Sequence, residues 1–205
     1  MPTTIWLLRH AETAAPHLLH GAESDIGLSE RGHEQARCFA DLAAHFQPQA
    51  VVCSGMLRAR QTAEPIARAC GLPVRIEPRL HERAVGALSG TPASNNPVLL
   101  ATVAQWQAGR TDYCEAGAES FDAIRERVLP VWQRLATEYA DQRFVVIAHG
   151  MVIRVLLMCL LYEQDLSRWS EIGPIKNLAI TELTHCGQTW QAQRLNYLPA
   201  PLATL

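Results

Sequence analysis

The six cysteines, Cys38, Cys53, Cys70, Cys114, Cys159 and Cys186, are scattered without a single Cys-x-x-Cys pair. That spacing argues against a zinc site and against a disulfide framework, and it points to reduced thiols in a cytoplasmic protein. Positive charge is not in excess either. The formal net charge is -2, so no global field recruits nucleic acid or a membrane surface, and an anionic substrate has to be caught by local cations. The longest apolar run, 155–161, is too short to span a bilayer. No basic stretch precedes the short apolar run at the N-terminus, which does not suit a secretory leader. Internal repeats and linker-like shifts of composition are absent as well. What is present, 205 residues with 48% hydrophobic and 19% charged side chains, is enough for one domain over 1–205 with a full core.

Hydrophobic patterning predicts the element order. The run Ile5-Trp6-Leu7-Leu8 reads as a short buried strand that ends abruptly in Arg9 and His10. A polar loop, 13–27, follows it. Ser29 suits an N-cap for a helix presenting Phe39, Leu42, Ala43 and Phe46 on one face. Gly32 sits early in that helix at a propensity cost of about 1 kcal/mol, with nothing in the sequence to offset it. Ala50-Val51-Val52-Cys53 is a second buried strand running into a helix that holds Pro65, either in its first turn or at a kink, and that Gly71 and Pro73 stop. Val74-Arg75-Ile76 is a third strand. An irregular segment covers 77–97, and helices are expected over 98–107 and 120–139, the second bent at Pro130. Phe144-Val145-Val146-Ile147-Ala148 is the strongest strand signal, ending in His149-Gly150 before an apolar helix over 152–161. Two last strands, 177–183 and 189–195, are expected to form a hairpin at the sheet edge around Gly187. This order predicts an α/β fold: a single three-layer domain with a mostly parallel central sheet and helices on both faces.

Side chains at strand ends mark the mouth of such a sheet, where ligands bind. Collected there are Arg9, Arg58, His10 and His149, with Glu82 in the long irregular loop. The set suits phosphoryl transfer through histidine. Guanidinium groups grip phosphate oxygens bidentately. Nearby cations keep an imidazole neutral, so that His10 can attack phosphorus and hold the phosphoryl group covalently. His149 can donate to the equatorial oxygens as charge builds, and Glu82 can protonate the leaving alcohol and then activate water. Thr13 is read as either a turn residue or a ligand. Arg83 and Arg154 are read as surface ion-pair partners. Trp106, Trp132, Trp169 and Trp190 are expected to pack in the core or at its rim, with Trp106 placed where it could also touch substrate.

The ordered pieces Leu8-Arg9-His10-Ala11-Glu12-Thr13, Gly21-x-x-x-Asp25-x-x-Leu28-Ser29-x-x-Gly32, Ser54-x-x-x-Arg58-Ala59-x-Gln61-Thr62-Ala63, Leu80-x-Glu82-x-x-x-Gly86-x-x-x-Gly90, Gly117-x-Glu119-Ser120 and Ala148-His149-Gly150-x-Val152-Ile153-Arg154 resemble the histidine phosphatase superfamily, in its phosphoglycerate-mutase-like branch. The resemblance implies a phosphoglycerate mutase-like fold, with His10 as the phosphohistidine nucleophile. It implies that Arg9, Arg58 and His149 bind the phosphoryl group, that Glu82 is the general acid/base, and that neither metal nor cofactor is needed. Two positions depart from the family pattern. Ala11 stands where the family usually has Gly, which the chain tolerates if φ stays negative. Pro16 stands where the family often has a phosphate-binding Asn, leaving Thr13, His17 or His20 to supply the contact.

The expected activity is hydrolysis of a small phosphomonoester; the region 84–117 also resembles the phosphatases that act on nucleotide-like or small metabolite esters, α-ribazole phosphate among them. The segment 84–117 would act as a lid that sets specificity. Few charges fall between Arg83 and Glu119, namely Arg110, Asp112 and Glu115, which favours hydrolysis over a mutase that must retain a highly charged substrate. A mutase, a phosphohistidine-protein or sugar-bisphosphate phosphatase, a metallohydrolase and a non-catalytic phospholigand-binding protein are the alternatives. Partners are then the phosphorylated metabolite and phosphate ion, with no nucleic acid and no membrane. The apolar tail 198–205 suits either a homodimer contact or simple packing.

Overall fold

Alternation along the buried strands divides the molecule into layers. In β1 (Thr3–Arg9), Ile5 and Leu7 face one side of the sheet while Trp6 and Leu8 face the other. β2 (Ala50–Ser54) and β4 (Arg143–Ala148) alternate in the same way, with Val52, Phe144 and Val146 on the first side and Val51, Cys53, Val145 and Ile147 on the second. The second side packs against α1 (Glu30–Phe46) and α2 (Leu57–Cys70) through Phe39, Ala43, Ala63 and Ile66. The first packs against α4 (Phe121–Glu138) and α5 (Gly150–Leu161) through Ile124, Val128, Leu135, Val152 and Leu156. Between these come β3 (Val74–Glu77) and α3 (Pro97–Gln107). The chain ends with α6 (Trp169–Ile172), β5 (Ile180–His185), β6 (Trp190–Tyr197) and α7 (Ala200–Ala203). The structure, a computed structural model, describes residues 2–187 and 189–205.

The six strands run in the order β3-β2-β4-β1-β5-β6. The first four are mutually parallel, and β5 and β6 join antiparallel at the edge. This is the mostly parallel three-layer sheet that the pattern predicts, hairpin included; the hairpin's residue 188 lies outside the described residues. The register decides where function sits. Arg9 lies opposite Ala148 in the β1–β4 pair, so the next residues, His10 and His149, leave the sheet side by side. His10 N–H still donates to Ala148 O at 3.0 Å.

One local expectation needs revision, and two that were open are narrowed. Asn177 is not in a strand: Leu178 adopts φ 54°, the chain turns there, and β5 begins only at Ile180. Of the two places open to Pro65 the structure takes the second: α2 starts at Leu57, so the proline lies in the helix interior and leaves the Gln61 carbonyl without its helical donor. The tail packs on its own chain, Leu202 being 4% exposed and Leu198 and Leu205 resting on the same apolar cluster as α1. All six cysteines are free. Among the described residues, no helix is long and apolar enough to cross a membrane.

The unexplained Gly32 has a structural reason. A Cβ there would stand 2.1 Å from the backbone oxygen of Glu12, so α1 approaches the loop after His10 as closely as two main chains allow. Ser29 Oγ caps the same turn from Gly32 N–H and donates to Glu12 Oε1 at 2.8 Å. Gly32→Ala is therefore expected to lower stability by about 1–3 kcal/mol through overpacking, read as a shift of the urea-unfolding midpoint, and to reduce activity because the displaced segment adjoins His10.

Candidate active site

His10 is 4% exposed and follows directly on β1. Its Nδ1 lies 2.7 Å from Ala11 O. A carbonyl only accepts, so Nδ1 carries the proton and Nε2 keeps its lone pair. Burial pushes the imidazole pKa well below its usual value, and the Arg9 and Arg58 cations push it further. His10 is thus neutral at pH 7 with a free nucleophilic nitrogen. Its backbone is held on both sides: Asn177 Nδ2 donates to His10 O at 2.7 Å, and Ala11 N–H donates to Thr62 Oγ1 at 3.0 Å. Thr62 in turn donates to Arg58 O. Ala11 keeps a negative φ, since it is not among the left-handed residues.

His149 caps α5 and is fully buried, its ring centroid 5.1 Å from that of His10. Arg58 Nε–H donates to its Nδ1 at 3.3 Å, and its Nε2 meets Ser54 Oγ at 2.8 Å. Burial, His10 and Arg58 hold this imidazole neutral as well. Arg58 is completely buried and also donates to the carbonyls of Ser24, His20 and Gly21. It pins the loop beside His10 but does not line the hollow in front of it. A donation from His149 to a phosphoryl oxygen requires the other tautomer, with Ser54 O–H donating to Nε2 and Nδ1–H turned from Arg58 toward the anion.

That hollow has a volume of about 130 Å³ and is lined by Arg9, His10, Thr13, His20, Glu82 and Asn177, among others. Of the three residues considered to replace the family's Asn, Thr13 and His20 reach it, whereas His17 is exposed to solvent. Arg9 donates to Ile175 O at 2.8 Å, and its Nε is shielded without an acceptor. Burial lowers the Arg9 pKa, against the opposing pull of Glu82.

Glu82 reaches the N-terminus of α5. Its Oε1 accepts from Arg83 N–H at 2.9 Å, and its carboxylate accepts from Met151 and Val152 N–H at 3.4 Å. The loop carrying it is clamped from α4. Arg127 makes a bidentate pair with Glu119 at 2.7 and 2.9 Å and donates to Glu82 O at 3.3 Å. Glu119 also accepts from Ala84 N–H at 2.8 Å. Burial disfavours the Glu119 charge, but Arg127 and the Ala84 N–H outweigh it and hold the carboxyl below its usual range.

Arg83 and Arg154 are not surface residues. Arg83 is 1% exposed, donates to Glu119 O and Glu115, and lies over the Trp106 ring. Arg154 is half-buried on α5. Each carries an aliphatic stem and a planar group that stacks on a tryptophan, which hydrophobic periodicity does not register. Trp106 is no substrate contact: it is 1% exposed, edge-on to Phe121 and Trp169, with Nε1–H bound to Tyr113 O. Asn177, Ser54 and the Glu119–Arg127 clamp were missed as site residues. Only Ser54 and Glu119 carried a signal, through their places in the quoted motifs. Among the described residues no group of three or more His, Cys, Asp or Glu side chains is placed to hold a metal ion.

Residues 5–198 match the model of the histidine phosphatase superfamily, branch 1. The chain belongs to the histidine phosphatase superfamily. It is 32% identical to a metal-independent phosphoserine phosphatase of Arabidopsis thaliana, covering 92% of this chain and 79% of the relative. It is 28% identical to a probable phosphoglycerate mutase of Erwinia tasmaniensis, over 92% of this chain and 87% of that one. A mycobacterial glucosyl-3-phosphoglycerate phosphatase solved in complex with VO3 superposes with a TM-score of 0.83 at 26% identity, covering 95% of this chain and 99% of that chain. The fold is that of the phosphoglycerate mutase-like phosphatases.

Proposed function

We propose that the protein is a metal-independent phosphomonoesterase acting on a small metabolite ester through a phosphohistidine on His10. The observation that carries this is the neutral His10, with its lone pair on Nε2 and Arg9, Arg58 and Glu82 around it, beside an anion-sized hollow. The relatives support it, since those named as phosphatases act on phosphoserine and glucosyl-3-phosphoglycerate.

In the first half-reaction His10 Nε2 attacks phosphorus and the ester P–O bond breaks. Glu82, carrying a proton, passes it to the departing oxygen, and the alcohol leaves. Arg9 and Thr13 hold phosphoryl oxygens, the Arg58 cation offsets the charge, and His149 donates once its tautomer has switched. In the second half-reaction water gives its proton to the Glu82 carboxylate as its oxygen attacks phosphorus. The N–P bond then breaks, returning the neutral imidazole and inorganic phosphate. Segment 84–117 acts as the lid: Thr91 O and Ala93 N–H pair with residues 17–19, and Ala93 lines the hollow.

The purified protein is expected to hydrolyse p-nitrophenyl phosphate at neutral pH with a rate unchanged by EDTA. A panel of phosphoserine, phosphoglycerates, glucosyl-3-phosphoglycerate and α-ribazole phosphate then ranks substrates by phosphate released. Loss of activity in EDTA overturns metal independence. Interconversion of phosphoglycerates without phosphate release replaces the hydrolase with a mutase. Micromolar binding without turnover of any ester replaces both with a binding protein.

A further inference from the structure

Beyond the phosphate hollow, on the far side of Arg9 and Glu82, lies a second cavity of about 270 Å³. Arg9, Leu19, His20 and Glu82 line both spaces, so one ligand can reach across them with its phosphoryl group at His10 and its remainder in the larger one. The walls of the larger cavity are mostly apolar, with Val85, Leu99, Met151 and Ile175 among them. Three guanidinium groups also reach it. Arg83 is already paired with Glu115, and Arg9 belongs to the hollow. Arg154 is the exception.

Arg154 rises from the second turn of α5 and lies over the ring of Trp169, its Cζ 4.0 Å from the centroid. Its Nη2 donates to Trp169 O at 3.2 Å, a modest contact, while its Nε is shielded from solvent with no acceptor. Among the described residues, no carboxylate is in ion-pair reach of it. Burial lowers its pKa to about 10, so it stays charged at neutral pH. A half-buried cation without a counter-ion is costly, and one tryptophan face with one carbonyl offsets only part of that cost. Many of the chain's other arginines, Arg31, Arg75, Arg83, Arg125, Arg127 and Arg134 among them, do find carboxylates. A planar donor on the wall of a mostly apolar cavity that Glu82 also lines suits one kind of complement: a carboxylate on a short carbon chain.

Resting on the phosphomonoesterase assignment, we propose that Arg154 is a specificity-determining residue that binds a carboxylate on the leaving-group part of the substrate. The preferred substrates are then phosphomonoesters of small hydroxy acids rather than of neutral or cationic alcohols. The cavity's apolar walls strengthen the pair by excluding water from it.

Matched substrates that differ by one carboxylate test this on the full chain: O-phosphoserine against O-phosphoethanolamine, and 3-phosphoglycerate against 2-hydroxyethyl phosphate. The protein is expected to favour the carboxylated member of each pair by about tenfold or more in kcat/KM, mainly through KM, as a charge-assisted hydrogen bond provides. In R154Q that preference should collapse toward unity. In R154K it should fall to an intermediate value, because an ammonium group cannot pair bidentately. An absent preference in the unmutated protein, or an equal loss on both members of each pair in R154Q, overturns the proposal and leaves Arg154 a structural residue stacked on Trp169. If R154Q does not fold, as judged by circular dichroism, R154K decides: an unchanged ratio overturns the proposal and a lowered one supports it. Failure of the unmutated protein to hydrolyse either pair or p-nitrophenyl phosphate is a different result, and it refutes the phosphomonoesterase assignment itself.

Discussion

Replacing His10 with alanine is expected to lower the turnover of every phosphomonoester by about 10⁴-fold or more, because removing the nucleophile of a covalent mechanism leaves only binding and charge stabilisation. The remaining groups cannot take over. His149 is fully buried beside His10, and Arg58 and Ser54 occupy its Nδ1 and Nε2, so neither nitrogen offers a free lone pair to attack phosphorus. The variant should still fold and bind phosphate, since Arg9, Thr13 and Asn177 keep their places. Steady-state rates on p-nitrophenyl phosphate check the loss, and an acid-labile phosphoprotein adduct formed by the unmutated chain should be absent from the variant. Retained turnover within tenfold of the parent would sink the assignment of the nucleophile.

The same residue sets a pH dependence of stability. Burial, reinforced by neighbouring cations, lowers the pKa of both His10 and His149 well below the usual 6.5. A folded-state pKa below the unfolded one means that the unfolded chain binds more protons between the two values. No stability is lost above about pH 6.5, where both states are neutral. As pH falls through 6.5 toward the folded values, the unfolded state takes up protons and is favoured. Melting temperature should therefore fall between pH 7.5 and pH 5, and His10→Ala should weaken that slope by removing one of the two contributors.

How legible this site was in the sequence depends on the distance over which each feature is decided. Arg9, His10 and His149 stood out because apolar strands end abruptly in polar residues, a local pattern. Their adjacency was not local. It follows from β1 and β4 pairing with Arg9 opposite Ala148, two strands separated by most of the chain. Asn177 reads as a strand residue because Leu178, Ala179 and Ile180 continue the apolar run. The positive φ of Leu178 turns the chain and sends the amide to His10 O. Arg83 and Arg154 read as surface charges because a residue count cannot see that each guanidinium lies on an indole. Gly32 looked like a defect until Glu12 O was placed against it. Burial of side-chain stems, stacking and backbone contact are tertiary facts, and these are what a one-dimensional pattern omits.

Glu82→Gln is expected to separate substrates by the quality of their leaving groups. For an alkyl ester, whose alkoxide must be protonated as it departs, turnover should fall by about 10²–10⁴-fold. For p-nitrophenyl phosphate the leaving phenolate is stable without a proton, so the first half-reaction should be nearly spared and the slow step should pass to hydrolysis of the phosphohistidine. A burst of p-nitrophenolate followed by a slow steady rate is the expected trace, since water activation needs the same carboxylate. The amide is a fair isostere, because either of its ends can face the loop. Its oxygen can accept the N–H groups of Arg83 and Val152 now held by Oε1, and the clamp from Arg127 acts on the Glu82 main chain. An equal loss on both kinds of ester, without a burst, would show that Glu82 only shapes the loop. The proton would then have to come from Glu12 or His20, the remaining carboxyl and imidazole on the wall of the hollow besides Glu82 and His10.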